Sequence, residues 1–222
     1  MNLLRKMLLN QLACIAWTSV ALSTSAQTCV TPPGFVDIPA PAATDKQLVS
    51  HTEEVAVDSP LAEVVSAASK TSLKDAIRKT SSLPSVAGDY PLGNIPFGTP
   101  GARRLVCLTD GSTLEEQVLA REESKSSYRF RYIVWNYTSK VARPIEYGVG
   151  EFRDSQIDAG HTHIAWTYSF KLKDHEFPGY LGALGRYLFR VYFLDRQYAA
   201  MMRGTLQAGK ATAEKESAAN SR

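Results

Sequence analysis

Between residues 48 and 172 the chain repeatedly alternates apolar and polar side chains, the period of a strand with one buried face. The alternation predicts strands at 48–57, 104–109, 114–121, 128–136, 146–154 and 161–172, the first marked by Val49, Val55 and Val57. The separators between the later segments are turn-like: Asp110-Gly111-Ser112, the polar run 122–126, and Asp158-Ala159-Gly160. Connections this short join antiparallel neighbours, so the strands after residue 104 should form a meander. After the first strand, Asp58-Ser59-Pro60 reads as a helix start with Pro in the first turn and Glu63 close behind. Two short helices are predicted there, at 61–69 and 73–80. The stretch 81–101 reads as loop, because Pro84, Gly88, Pro91, Gly93, Pro96, Gly98, Pro100 and Gly101 punctuate it.

From Phe177 the period changes. Tyr180, Leu181, Leu184, Tyr187, Leu188, Val191, Tyr192, Tyr198, Met201, Met202 and Leu206 recur at helical spacing, and no Pro follows Pro178. One long helix is predicted from 177 to about 213, with Tyr187, Leu188, Val191 and Tyr192 on the face turned toward the sheet. Residues 214–222 read as a disordered polar tail with no core to join. No internal repeat is evident, and the fold class is α+β.

The N-terminus adds a destination. Arg5 and Lys6 precede an apolar stretch, Met7 to Leu22, which closes on Ser23-Thr24-Ser25-Ala26. That order is that of a secretory signal peptide, residues 1–26, with cleavage after Ala26 and Gln27 as the new N-terminus. Asn10 and Gln11 interrupt the apolar run, and a retained span needs roughly 20 predominantly apolar residues, so no stable membrane span is expected after cleavage. The protein should be periplasmic or secreted. Residues 27–47, with Thr31-Pro32-Pro33-Gly34 and Pro39-Ala40-Pro41, read as an extended leader with little reason to pack. The remaining 48–213 form one domain of a size that buries about 70% of its unfolded surface.

Losing Arg5 and Lys6 lowers the formal charge from +3 to +1. With no stripe of Lys and Arg to neutralise a run of phosphates, nucleic acid is not an expected partner. Of the three Cys, Cys14 leaves with the signal, and Cys29 and Cys107 remain. In an oxidising compartment they can bridge; a buried free Cys107 beside a loose Cys29 is the other reading.

A set of segments in fixed order carries a family resemblance. These are Gly101-Ala102-Arg103-Arg104-Leu105-Val106, Thr109-Asp110-Gly111, Glu115-Glu116-Gln117-Val118-Leu119, Tyr128-Arg129-Phe130-Arg131-Tyr132, Glu146-Tyr147-Gly148-Val149-Gly150-Glu151-Phe152, and Thr162-His163-Ile164-Ala165-Trp166-Thr167-Tyr168-Ser169-Phe170. Over 48–209 the chain resembles the START/Bet v 1-like superfamily, SRPBCC proteins, and within it the polyketide cyclase/dehydrase and lipid transport group. The resemblance implies a helix-grip fold, in which a curved antiparallel sheet wraps around a long C-terminal helix with a cavity between. One departure is Leu83-Pro84, where many relatives place a Trp before the Pro. Exported members exist, among them relatives in periplasmic methanol oxidation. The superfamily includes carriers, hormone receptors, cyclases and hydroxylase domains, so fold alone names no chemistry.

The residues themselves narrow the field. Tyr128, Phe130 and Tyr132 share one strand face, and Trp166, Tyr168 and Phe170 share another. Ordinary core packing accounts for such rings, and so does the wall of an apolar cavity with a few polar tips. The hydroxyls of Tyr128, Tyr132, Tyr147 and Tyr168 could orient a ligand carbonyl, and Tyr187 and Val191 would contribute from the helix. Glu115 and Glu116 face opposite sides of their strand, so one points inward. The resemblance favours Glu116, which matches the glutamate of a Glu-x-Leu-Leu-like pattern; in the abscisic acid receptors, which look like distant relatives, a comparable glutamate lines the pocket through water. Buried, it would have a raised pKa and serve as acid, base or ligand anchor; solvent-facing or salt-bridged glutamates are the plainer expectation.

The pairs Arg103-Arg104 and Arg129-Arg131 read as exposed positions with cross-strand partners such as Glu146 or Glu151. His161 and His163 share a strand face, but neither His51 nor His175 supplies a patterned third zinc ligand, so no metal or other cofactor is expected. There is no Gly-x-Ser-x-Gly elbow, no patterned Cys nucleophile and no phosphate-binding Gly loop. Three functions follow. The first is a periplasmic carrier or binding protein for a small apolar lipid-, polyketide- or aromatic-like ligand. The second is a cyclase- or dehydratase-like enzyme with Glu116 as base and a Tyr as oxyanion donor. The third is an accessory protein that docks a periplasmic enzyme.

Overall fold

The computed structural model describes residues 29, 31, 34–44, 46–77 and 80–220. The expected signal segment lies outside them. Among the described residues seven strands form: β1 (Val49–Val57), β2 (Val86–Leu92), β3 (Arg103–Leu108), β4 (Thr113–Glu123), β5 (Ser127–Trp135), β6 (Ile145–Asp158) and β7 (His161–Leu172). They make one sheet in the order β1-β7-β6-β5-β4-β3-β2, antiparallel at every step. The predicted meander is therefore present, and the first strand closes its far edge against the last. β2 corrects the expectation of loop at 81–101. It is an edge strand that carries Gly88 and Pro91 and whose register shifts between Val86 and Gly88, the kind of place where Pro and Gly are tolerated in a sheet.

Between β1 and β2 lie α1 (Leu61–Lys70) and α2 (Leu73–Ala76). The second is shorter than predicted and begins at Ser72, whose hydroxyl accepts the Asp75 amide at 3.2 Å. Leu83, in the place where many relatives carry Trp, packs partly buried against the core.

The C-terminal element is longer and less regular than a single helix. A 3₁₀ turn at Gly179–Leu181 leads to Gly182, whose φ of 62° breaks the path. Then come α3 (Ala183–Phe189), a π-helical stretch at Arg190–Tyr198, and α4 (Ala199–Asn220). The last residues are thus helical to Asn220, which corrects the disordered tail. Glu214 accepts the Asp58 amide at 2.8 Å and pairs with Lys210, and Glu216 lies 3.7 Å from Lys70.

The helix crosses the inner face and is clamped to the edge strand. His51 on β1 meets Asp195 at 2.9 Å through Nδ1 and Glu53 at 2.7 Å through Nε2, and Arg203 reaches the same Glu53 carboxylate at 2.5 Å. Between sheet and helix lies the main core, with Val49, Val57, Val134, Trp166, Phe170, Leu172, Phe189, Leu194, Met202 and Leu206 buried in it.

A second cluster sits on the outer face of the sheet: Ile133, Trp135, Tyr147 and Val149. The leader covers it. Ala40 packs against these side chains, the Ile38 carbonyl accepts the Trp135 indole N–H at 2.9 Å, and Tyr147 Oη accepts the Thr44 amide at 3.1 Å. Cys29 and Cys107 are joined, with Cα atoms 5.5 Å apart. Cys107 lies on the outer face, so the bridge holds the leader where it packs. The expectation of a loose leader is overturned because this sheet is apolar on both faces. Neither Cys29 nor Cys107 should titrate as a free thiol under denaturing, non-reducing conditions; both reacting would contradict the bridge.

Candidate ligand-binding site on the inner face

Alternation carries Tyr128, Phe130, Tyr132 and Val134 of β5 to the inner face, and Trp166, Tyr168, Phe170 and Leu172 of β7 join them there. The strand between them, β6, offers Gly148 and Gly150 to the same face. A Cβ on Gly150 would collide with the Tyr132 ring, and one on Gly148 would lie 2.7 Å from Tyr168 Cε1 and 2.9 Å from Tyr137 Oη. The two glycines therefore leave room for the Tyr132 and Tyr168 rings and the Tyr137 hydroxyl to come close against the sheet.

The rings run in one connected set. Phe152 stacks on Trp166 at 4.8 Å, Tyr132 meets Tyr168 at 6.1 Å, and Tyr168 packs on Phe170 at 4.8 Å. From the helix, Tyr198 lies 4.7 Å from Tyr168 and 4.9 Å from Phe170, while Phe189 and Phe193 approach Phe170 at 5.6 and 6.0 Å.

Polar groups converge within this shell. Glu116 lies on the inner face, buried, opposite Val134. Arg104 of β3 donates to its Oε2 from Nε at 2.7 Å, with Nη2 at 2.7 Å from the same oxygen, and the guanidinium stacks 3.6 Å over Phe97. Burial raises the Glu116 pKa, and Arg104 offsets only part of that rise. Burial likewise drives the phenols of Tyr132, Tyr137, Tyr168 and Tyr198 far above their ordinary value, so all four are neutral donors. Two donors in the cluster have no hydrogen-bond partner among the described residues: Trp166 Nε1 and Tyr137 Oη. Each lies beside a phenol, Tyr132 for Trp166 and Tyr168 for Tyr137, near enough to interact electrostatically but not aligned as a hydrogen bond.

Of the ligand-binding candidates read from the sequence, the structure brings Glu116, Tyr132, Trp166, Tyr168 and Phe170 together, with Phe130 5.8 Å from Tyr132. Tyr128 sits at the sheet's tip, half-buried under Arg121. It borders a cavity of about 520 Å³ together with Glu122, Arg129, Arg153, Asp154 and His163. Tyr147 is not with them: it lies on the outer face under the leader, since the inward positions of β6 fall to Gly148 and Gly150. Tyr187 is 62% exposed and Val191 only half-buried, so neither walls the inner face. Gly182 and the π-helical stretch set a helix phase that turns Phe189, Phe193 and Tyr198 inward instead. Tyr137, Phe152, Phe193 and Tyr198 were not singled out as site residues from the sequence because three of them lie beyond the strand ends or on a helix of altered pitch; Phe152 was there to be found from its Gly-x-Gly-x-Phe alternation.

Glu115 faces the other way, fully buried against Arg103, Asn136 Nδ2 at 2.7 Å and the Ile38 amide at 3.4 Å. Arg103 and Arg104 are thus ion-paired and mostly covered, which corrects their reading as exposed positions. Glu151 gathers Arg129, Arg131 and Arg153; burial alone would raise its pKa, but Arg129 and Arg153 hold it below its usual value. His161 pairs with Asp158 and His163 with Glu54. No group of three or more metal-ligating side chains occurs among the described residues, and no described helix is long and apolar enough to cross a membrane.

The sequence matches no protein-family model and no curated protein. Solved structures resemble it in fold. Over 75% of this chain and 97% of its own, Ara h 8.0201 is 17% identical with a TM-score of 0.51. The Zhui aromatase/cyclase from Streptomyces sp. is 15% identical over 79% of this chain and 97% of its own, with a TM-score of 0.50. The di-domain aromatase/cyclase StfQ of the steffimycin biosynthetic pathway is 16% identical with a TM-score of 0.54; the match covers 76% of this chain and only 52% of StfQ. The chain has the Bet v 1-like helix-grip fold, α+β, with a curved seven-stranded antiparallel sheet held around a C-terminal helix.

Proposed function

We propose that the protein is an exported carrier for a small apolar molecule bearing one or two oxygen atoms, held on the inner face of the sheet. The observation that carries this reading is the pair of unpartnered donors, Trp166 Nε1 and Tyr137 Oη, inside an aromatic shell. A buried polar group without a partner costs about 1–3 kcal/mol, and a ligand oxygen accepting from either donor would recover that cost. The inner face is filled by its own side chains, so the reading requires the helix to make room: Phe193 and Tyr198 lie in the π-helical stretch, and rewinding it would move both. Ara h 8 shares the fold without contributing a ligand; the ligand class here comes from the donors and rings alone.

Tyr137→Phe tests the reading directly. It removes the orphan hydroxyl and keeps the ring, so the unliganded fold should hold its stability or gain up to about 1 kcal/mol. Affinity for an oxygenated aromatic probe such as 2-naphthol, followed by fluorescence, should fall several-fold. Native mass spectrometry of protein taken directly from the exporting cell should show a retained small molecule. Exclusion of every apolar probe by the folded protein would sink the proposal.

One observation favours a second reading. Glu116 has a raised pKa among neutral phenols, the combination a cyclase-like enzyme would use to enolise a polycarbonyl chain, and two of the fold neighbours are aromatase/cyclases. Glu116→Gln separates the two. A carrier should change affinity modestly, whereas an enzyme should lose roughly 10²- to 10⁴-fold in turnover.

A further inference from the structure

The apolar stripe that the helical period defines does not meet the sheet. Leu184, Tyr187, Leu188, Val191 and Tyr192 stand at i, i+3, i+4, i+7 and i+8, the spacing of one buried helix face. In the folded chain a neighbouring stripe, Gly185, Phe189, Phe193 and Leu194, turns inward, and the predicted one turns out. Leu184, Tyr187 and Tyr192 are 58–62% exposed, as are Phe177 and Tyr180 in the turn that leads into the helix. A helix apolar on both sides is ordinarily covered on both, and a contiguous exposed apolar surface marks an interaction site. The other large apolar residues exposed among those described, Val36, Tyr90, Ile95, Val141 and Ile157 among them, lie scattered over separate elements.

Charge identifies what covers the stripe. From residue 177 to 194 the chain holds Arg186 and Arg190 and no acidic residue, and Arg196 follows with its guanidinium 5.5 Å over the Tyr192 ring. The two acids that flank this stretch are both engaged, Glu176 by Arg143 and Asp195 by His51 and Arg190. A second copy docking through the same face would set these arginines against their own counterparts. Tyrosine rings with hydroxyl tips, flanked by arginine on the outer side of a helix, instead match the headgroup zone of a bilayer, where amphipathic rings settle and cations meet lipid phosphates. We propose that the outward face of residues 177–196 docks the protein, peripherally and reversibly, on an anionic membrane surface. The proposal stands apart from the interior site and survives whether or not that site takes a ligand.

The test is flotation of the mature protein with vesicles of phosphatidylcholine alone, or of phosphatidylcholine mixed with phosphatidylglycerol, at low and high salt. The wild type should float with the anionic vesicles and be released by salt. Leu184→Ser/Tyr187→Ser/Tyr192→Ser should weaken that binding by more than roughly ten-fold. Arg186→Gln/Arg196→Gln should weaken it by roughly 20-fold and leave no preference for anionic lipid. All these side chains are largely outside the core, and circular dichroism should show both variants folded; Tyr90→Ser/Ile157→Ser, at exposed positions elsewhere, should bind as the wild type does. Failure to float with either vesicle, equal flotation with both, or binding unchanged in the two variants would overturn the proposal. So would concentration-dependent self-association in analytical ultracentrifugation that the serine variant abolishes, since the face would then belong to a second copy.

Discussion

Replacing Arg104 by methionine should lower the stability of the folded protein by about 3–5 kcal/mol at pH 8, the usual cost of leaving a buried charge without its partner. Glu116 is buried on the inner face and depends on Arg104 as its cation, while methionine keeps a side chain of similar length over Phe97. The deficit should depend on pH in a definite direction. Burial already holds the Glu116 pKa above 4.5 in the presence of Arg104, and removal of the arginine raises it further. The folded variant therefore binds a proton more tightly than its unfolded chain does. Its stability is retained at acid pH and lost as pH rises through the folded pKa of Glu116. Denaturant titrations at pH 5 and pH 8 measure the difference, and Arg104→Met/Glu116→Leu should recover most of the loss at pH 8, because an apolar pair needs no compensation. A deficit equal at both pH values, or a double variant as unstable as the single one, would show that the ion pair does not set the energetics of this face.

The second large effect belongs to Asp154, near the tip of β6. The residue is 7% exposed, Oδ1 has no hydrogen-bond partner among the described residues, and burial pushes its pKa from 3.8 up to about 7. Between those two values the folded protein holds a proton at this site that the unfolded chain has released. Stability from this group is full below about pH 4 and declines as pH rises to 7, by up to about 4 kcal/mol. Asp154→Asn keeps the shape and abolishes the charge. The variant should match the wild type at pH 4, exceed it at pH 8, and show a flatter stability profile between. Thermal melts across that range decide it; an asparagine variant that gains nothing at pH 8 would mean that the carboxylate finds solvent or a cation in solution. The position also borders the cavity at the sheet's tip, so a change in its occupancy would register in the same measurement.

Much of the sheet was legible because alternation is a local property. The strands at 48–57, 104–109, 114–121, 128–136 and 161–172 agree with the structure to within about two residues at each end, since each needs only its own side chains to declare a period of two. The edge strand β2 was not legible. With Gly88 and Pro91 in seven residues and most of its side chains half or fully exposed, it carries no alternation, and its place is set by pairing with β3. The leader was misread for a related reason. Nothing in a Pro- and Ala-rich segment announces packing, which arises from the apolar outer face that Ile133, Trp135, Tyr147 and Val149 present to it.

The candidate site divides along the same line. From the sequence alone follow the opposition of Glu115 to Glu116, the shared faces of Tyr132 with Phe130 and of Trp166 with Tyr168, and the helical stripe through Tyr187, because period fixes the relative orientation of residues on one element. Which of two faces looks inward is a property of the closed sheet and of the helix laid across it. Tertiary structure alone therefore placed Glu116 inside and Glu115 beneath the leader, sent Tyr147 outward so that Gly148 and Gly150 could receive the tyrosine rings, and, through Gly182 and the π-helical stretch, turned Phe189, Phe193 and Tyr198 onto the sheet while leaving Tyr187 and Tyr192 at the surface.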